Sequence, residues 1–410
     1  MGRAPDRVSY FAATNFHGDR RLFGIKQADR LSHIYLIGKT GVGKSTLLAK
    51  LATEDTGAGR GFALVDPHGD LVERVFTSLP AAMRDRAIYL NTPDPLQPFG
   101  YNPLRRVAVD KVPLAASGLL ETFRKLWPNA WGVRMEHVLR NSLYALLERE
   151  DSVLPDILRL YSDQAYRRNI GVRIRNPIVR TFWLDEFENY HPRQQAEATA
   201  PIQNKLGALL ADPMLYRVLV APKVDLHLRR VMDEGQILLV NLSRGQIGED
   251  SALVLGSLIV STLGLAAFSR ADITDAHRRP YFLYVDEFQN FTTLSFATMM
   301  SELRKYGLGL TLAHQYLHQL EPDIRHAVLG NAGTLISFRV GPEDAQVLAR
   351  EFHPTFGIDD LLNLPNRSFY LNLMIDGAPS RSFSAELTST DKASPNTGAV
   401  RNSGRVWLYK

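Results

Sequence analysis

The chain has 410 residues, no cysteine and a formal net charge of +5. The lack of thiols excludes disulfides, cysteine-ligated zinc and a cysteine nucleophile, and the length predicts two domains rather than one simple core. The basic balance permits a polyanionic partner such as DNA without requiring one. The first residues, Met-Gly-Arg-Ala-Pro-Asp-Arg, lack the apolar stretch of a signal peptide, so a cytoplasmic protein is expected.

Apolar, β-rich runs are expected to form strands at 33–37, 61–65, 87–90, 236–241, 281–285, 309–313, 334–339 and 368–374. They alternate with helical patterns, which predicts an α/β fold with a parallel sheet. Continuous apolar character in Ile237-Leu238-Leu239-Val240 and Tyr281-Phe282-Leu283-Tyr284-Val285 suits strands covered on both faces. Between 104 and 222 helical periodicity dominates and strand signals vanish. The expected organisation is therefore a discontinuous sheet domain, 1–103 and 223–387, interrupted by an all-helical insertion at 104–222. The remainder, 388–410, is rich in Ser, Thr, Asn and Gly and reads as a flexible tail.

Behind the first expected strand, Gly38 to Ser45 spell G-x-x-x-x-G-K-[ST], and a helical pattern follows. This is a phosphate-binding loop, in which glycines let successive backbone N–H groups curl around a phosphate at a helix amino terminus. Gly38, Thr40, Gly41, Gly43, Lys44, Ser45 and Thr46 are the expected nucleotide contacts. Lys44 reaches the β/γ oxygens and Ser45 holds Mg²⁺.

Within the helical insertion, Arg167, Arg168, Arg173, Arg175 and Arg180 cluster near Tyr166, Phe182 and Trp183. That mixture can neutralise phosphates and stack bases, whereas Asp185, Glu186 and Glu188 alongside allow a self-compensated solvated face. The loop 242–248 leaves a strand and could line a pore, with Arg244 on a nucleic-acid backbone; a plain strand-to-helix turn fits equally. The apolar stretch 252–268 is slightly short for a bilayer and carries Ser257, Ser261 and Thr262, so a buried helix is expected.

The strand Tyr281–Val285 ends in Asp286-Glu287. An acid pair after a strand is by itself weak evidence, since it also suits a helix amino terminus. Beside a phosphate loop it acquires a chemistry: Asp286 for the Mg²⁺ shell and Glu287 to polarise the attacking water. An Asn-Lys-x-Asp base-reading motif is missing, which favours ATP hydrolysis over a GTP switch. After the next strand, Gln315 stands at a carboxyl end, beside the expected nucleotide crevice, and His314 is assigned a structural role.

Gly38–Ser45, Val65-Asp66-Pro67-His68-Gly69-Asp70-Leu71, Val285-Asp286-Glu287-Phe288, and Leu303-Arg304-Lys305-Tyr306-Gly307-Leu308 leading to Gln315 together resemble the HerA/FtsK superfamily of RecA-like ring ATPases. Within it the chain is most similar to conjugative coupling proteins of the TraD/TraG/TrwB type. The resemblance implies a RecA-like P-loop NTPase sheet domain with an inserted all-alpha domain, and a homo-oligomeric ring, a hexamer, with ATP between subunits. It implies DNA translocation, and a protein partner such as a nuclease, relaxase or secretion component. Arg304 is the candidate arginine finger supplied to a neighbouring subunit, with Arg325, Arg339 and Arg350 as alternatives. No integral membrane segment is expected, and a place at the periphery of a membrane complex fits.

Overall fold

Strand-forming runs that are apolar on both faces belong at the centre of a sheet covered by helices, and that is where this chain puts them. The computed structural model describes residues 7–15 and 20–388; nearly all of the expected tail lies outside the described residues. In chain order the amino-terminal strands are β1 (Val8–Thr14), β2 (Leu22–Lys26), β3 (Ile34–Ile37), β4 (Gly61–Asp66), β5 (Ile88–Asn91) and β6 (Phe99–Gly100). After the helical insertion come β7 (Val224–Asp225), β8 (Ile237–Asn241), β9 (Tyr281–Asp286), β10 (Leu308–His314) and β11 (Thr334–Ser337). The last are β12 (Ser368–Asn372), β13 (Met374–Ile375), β14 (Ala378–Pro379) and β15 (Phe383–Leu387).

One 11-stranded sheet has the order β2-β1-β15-β12-β11-β3-β10-β9-β4-β8-β5. From β11 to β5 all neighbours run parallel. All eight strands expected from sequence are present in this sheet. The antiparallel edge made by β12, β15, β1 and β2 was only partly anticipated, because β1, β2 and β15 gave no recognised signal. At that edge Gly24 of β2 passes so close to β1 that a Cβ would fall 2.1 Å from the Ser9 carbonyl oxygen.

Alternate residues of each central strand feed two cores. Ile34, Leu36, Phe62 and Leu64 pack with Leu47, Leu48 and Leu51 of the helix Lys44–Gly57 and with Val72 of the helix Asp70–Ser78. On the same side Arg30, fully buried, pairs with Asp55 of the first of these helices and bonds Tyr284 of β9. Tyr35, Ile37, Val65 and Val285 face the other way, toward Leu255 and Ile259 of the helix Glu249–Ser269 and onward to Leu119, Phe123 and Leu143 of the insertion.

The insertion leaves and re-enters at one point, where β6 and β7 pair in parallel, Phe99 opposite Val224 and Gly100 opposite Asp225. Between them lie helices that include Val112–Leu126, Val133–Leu147 and Pro192–Ala211. Because its core runs on into one face of the sheet, the insertion is packed against the nucleotide-binding half rather than tethered beside it. The helix Glu249–Ser269 explains the apolar stretch. It begins the one described segment long and apolar enough to cross a membrane, and 78 % of that apolar window is buried inside the protein. Ser257 and Ser261 are buried within it.

Candidate nucleotide site

The phosphate loop, the acid pair and Gln315 each stand at the carboxyl end of a parallel strand. From β3 the chain enters the phosphate loop, where Gly41 and Gly43 have φ of 77° and 123°, a region side chains avoid. A Cβ at Gly38 would meet that of Phe338 at 2.6 Å. The loop ends on the helix Lys44–Gly57, whose first backbone N–H groups and positive dipole end point into the loop. Lys44 is buried, and its Nζ donates to the Gly38 and Lys39 carbonyls at 2.6 and 3.1 Å. Burial pushes its ammonium below the ordinary value, opposed by Glu287 and Asp286. Thr40 is exposed at the lip of the loop, and Ser45 and Thr46 are half-buried.

Two strands away β9 delivers the acid pair. Asp286 Oδ2 accepts from Ser45 Oγ at 3.1 Å. Burial, with the neighbouring Asp66 and Glu287, pushes its carboxyl up to about 7, while Lys44 and Ser45 pull the other way. Asp66 ends β4 and is fully buried, accepting backbone N–H bonds from His68, Leu71 and Val72 at 2.8, 2.9 and 3.2 Å. It thereby fixes the turn into the helix Asp70–Ser78. That same turn bonds Arg244 beyond β8, whose Nη2 is 3.1 Å from His68 Nε2.

Glu287 is 5 % exposed and has φ of 48°, a left-handed conformation that costs a non-glycine residue about 1 kcal/mol or more and persists only where surroundings over-determine it. Both of its oxygens are held. Gln315 Nε2 donates to Oε1 at 2.7 Å and Gln289 Nε2 to Oε2 at 2.8 Å. The Gln315 amide oxygen in turn accepts from Thr40 Oγ1 at 2.8 Å. Gln315 therefore spans phosphate loop and acid pair. His314 has the structural environment expected of it: fully buried, bonded to Tyr35 and packed on Phe288.

Other predicted residues lie elsewhere. Arg304 is exposed at the amino end of β10, with its charge felt by His33 just before β3, so it is at the opposite end of the sheet from Lys44 in the same chain. Arg167 is an interior residue whose Nε donates to Glu188 at 2.7 Å and whose Nη1 donates to the Leu160 carbonyl at 2.9 Å. It is thereby removed from any phosphate-facing surface. Phe182 and Trp183 are also buried, which corrects their reading as base-stacking groups. Arg168 is exposed 3.5 Å from Glu188. Arg173, Arg175 and Arg180 are exposed, and among the described residues no carboxylate pairs with their guanidinium groups. Sequence reasoning missed Gln289, whose signal is its position two residues beyond Glu287. It also missed Arg74, whose Nη2 bonds the Ser45 carbonyl at 2.7 Å.

Residues 280–352 match the family described as the TraM recognition site of TraD and TraG. In this structure that segment is β9, β10 and β11, carrying Asp286, Glu287, Arg304 and Gln315. The fold matches the bacterial conjugative coupling protein TrwB in its unbound form with a TM-score of 0.63 at 16 % identity, over 95 % of this chain and 90 % of that one. The resemblance to TraD/TraG/TrwB-type ATPases holds. TrwB in complex with a non-hydrolysable ATP analogue matches with a TM-score of 0.63 at 16 % identity, over 95 % of this chain and 96 % of that one. VirB4 of Thermoanaerobacter pseudethanolicus matches with a TM-score of 0.64 at 14 % identity, over 95 % of this chain and 98 % of that one. No curated protein matches the chain. The fold is thus that of a RecA-like P-loop NTPase with a helical domain, as its relatives at this level have.

The site also fits nucleotide on its own chemistry. The glycine cradle leaves room that side chains would fill, and a buried ammonium lies across it bonded only to loop carbonyls. For Mg²⁺ the protein offers Ser45 and Asp286, and no group of three or more acidic or histidine ligands occurs among the described residues. Two protein ligands suit an ion that keeps waters and binds phosphate oxygens, and a carboxyl destabilised by burial and two neighbouring acids would gain from a cation.

Proposed function

We propose that the chain is a Mg²⁺-dependent ATPase that assembles into a homo-oligomeric ring, a hexamer, and couples hydrolysis to DNA translocation. The observation that carries the catalytic reading is the contact series Thr40–Gln315–Glu287, which joins the phosphate loop to an acid whose two oxygens are each held by a glutamine side chain. Backbone N–H groups from Gly38 to Thr46 and the Lys44 ammonium would hold the β/γ phosphates of ATP. Mg²⁺, when bound at Ser45 and Asp286, would supply charge neutralisation there. Glu287 would take the proton of the attacking water, and Gln315 would keep its carboxylate aimed at that water. Arg304 from a neighbouring subunit would meet the charge developing on the transferred phosphoryl group.

Arg168, Arg173, Arg175 and Arg244 are the proposed DNA contacts. The family matched at 280–352 is described by the recognition of another protein, which supports a protein partner, a nuclease, relaxase or secretion component. A cytoplasmic place, peripheral to a membrane complex, is part of the same proposal. The fold match to VirB4 is as good as that to TrwB, which keeps a second reading, an ATPase energising a protein assembly or secretion machine without touching DNA. Phosphate release measured with Mg²⁺ and ATP, alone and with single- or double-stranded DNA, separates them. Stimulation by DNA supports the motor; equal rates with and without DNA support the second reading; no turnover under any condition overturns both.

A further inference from the structure

The supports of Glu287 extend beyond the sheet. The helix Val112–Leu126 opens the insertion and packs along the helix Glu249–Ser269. Gly118 lies against Leu265, and Thr122 Oγ1 is 3.3 Å from Ser261 Oγ. One turn further on, Lys125 Nζ donates to the Gln289 carbonyl at 2.8 Å and to the Thr292 carbonyl at 2.7 Å. Those carbonyls belong to the turn that follows Glu287. The same turn is closed internally by Asn290 N–H on the Glu287 carbonyl at 3.0 Å and by Thr292 Oγ1 on the Phe288 carbonyl at 2.9 Å.

Lys125 is half-buried, and an ammonium drawn partly out of water is costly and is retained where it makes charge-assisted bonds that nothing else could replace. Burial pushes Lys125 down to about 8, opposed by Glu321, so at neutral pH it remains a donor. Gln289 is thus held at its backbone by the insertion and at its side chain by Glu287. Its buried Oε1 has no partner among the described residues, a cost accepted for the amide orientation that serves the carboxylate.

We propose that Lys125 is a positioning residue through which the helical insertion sets the orientation of Glu287, so that displacement of the insertion is transmitted to ATP turnover. This rests on the reading of Glu287 as the base of hydrolysis. Among the described residues Lys125 makes no hydrogen bond to the phosphate loop, so its effect falls on turnover and not on nucleotide affinity. Displacing the first helix of the insertion withdraws Lys125, frees the turn, and lets a strained Glu287 relax away from its aligned position.

The test compares Lys125→Met, Gln289→Leu, the double variant and Glu287→Gln in the full chain. Steady-state hydrolysis is measured together with binding of a fluorescent ATP analogue. Lys125→Met is expected to lower kcat roughly 10-fold, as misplacement of a catalytic group does, with KM and analogue affinity unchanged. Gln289→Leu keeps both carbonyl contacts and cuts the link to the carboxylate, so it should lower kcat similarly. The double variant should be no worse than the poorer single one. Multiplicative losses in the double variant, or losses that appear in KM with kcat intact, overturn the proposal. Unchanged turnover in Gln289→Leu overturns it whether or not the lysine variant folds. Normal turnover in Glu287→Gln instead sinks the underlying assignment of the base.

Discussion

Gln315 Nε2 donates to Glu287 Oε1 at 2.7 Å, and this bond joins the ends of two adjacent parallel strands. The other end of the amide is bonded to Thr40 in the phosphate loop. A change at Thr40 in the phosphate loop is therefore two hydrogen bonds away from the proposed base. Gln315→Ala should lower kcat about 10-fold, within the range expected for a lost orienting contact, while KM for ATP stays near the wild-type value. A rise in KM alone, with kcat intact, would place Gln315 in nucleotide binding instead.

Glu287→Gln keeps the shape and a polar contact but cannot accept the proton. Analogue binding should persist while turnover falls by roughly 10²-fold or more. Parallel loss of binding and turnover would reassign Glu287 to fold or metal support.

Lys44→Ala removes the ammonium that now bonds the Gly38 and Lys39 carbonyls. ATP affinity and hydrolysis should both be lost, because the β/γ phosphates lose their fixed counter-charge. Equilibrium binding of a fluorescent analogue checks the first effect and phosphate release the second. Near-normal turnover would refute the site.

His33 gives the fold a pH dependence. Its Nδ1 accepts from the Leu310 N–H at 3.1 Å and its Nε2 lies 2.9 Å from the Met300 carbonyl, so the neutral ring satisfies both partners and a second proton would break the first bond. Burial pushes its pKa from 6.5 down to about 4. Between those values the unfolded chain binds the extra proton and the folded chain does not, so stability is lost as pH falls from about 6.5 to about 4. The His33 contribution to the urea midpoint should fall across that window, against Asp286, whose raised carboxyl favours the folded state as pH drops. His33→Asn, which tolerates the same left-handed backbone, should flatten the slope in part, because His314, pushed to about 3 chiefly by burial, acts in the same direction. Equal slopes in variant and wild type would show that other groups carry the effect.

The exposed arginines of the insertion test the nucleic-acid reading. Val172 and Ile178 are also exposed on this segment, at 62 % and 76 %, so the surface offers both charge and apolar contact. Replacing Arg168, Arg173 and Arg175 by Ala should weaken DNA binding and lower the slope of log affinity against log salt by about 0.9 per lost contact on duplex DNA. Fluorescence anisotropy at several salt concentrations measures both. An unchanged slope would move the DNA contacts elsewhere, Arg244 being the next to examine.

The parallel centre of the sheet was legible because strands buried on both faces are continuously apolar, as in Tyr281–Val285. The edge strands β1 and β2 were not, because one side of each meets solvent: Tyr10 and Leu22 are 45 % and 53 % exposed. The phosphate loop and acid pair could be read directly, since their chemistry demands particular residues at fixed spacing. Gln289 and Lys125 could not, because nothing local marks a glutamine that meets a carboxylate or a lysine whose targets are carbonyls 164 and 167 positions away. Arg167 failed for the related reason that burial of a charge by Glu188 is a tertiary fact.

Arg304 allows the ring itself to be tested. It precedes β10, a strand of 7 residues whose far end carries Gln315, so at roughly 3.3 Å per residue it lies about 23 Å from the acid pair of its own chain. No side chain spans that gap, and action on ATP requires a neighbouring subunit. In a homo-oligomer of Arg304→Ala every interface lacks the arginine, and in one of Glu287→Gln every interface lacks the base. Mixed rings contain a third kind of interface, where the Glu287→Gln subunit contributes an intact Arg304 and the Arg304→Ala subunit an intact Glu287. Mixing the two inactive variants should therefore restore measurable hydrolysis, once mass measurement shows that mixed oligomers form. The amount recovered depends on how strictly subunits act in sequence, so its presence is the prediction. Verified mixed rings without recovery would reduce Arg304 to a fold residue and pass the finger role to Arg325 or Arg339, of which Arg339 is already tied to the Leu364 carbonyl and Asn366 in its own chain.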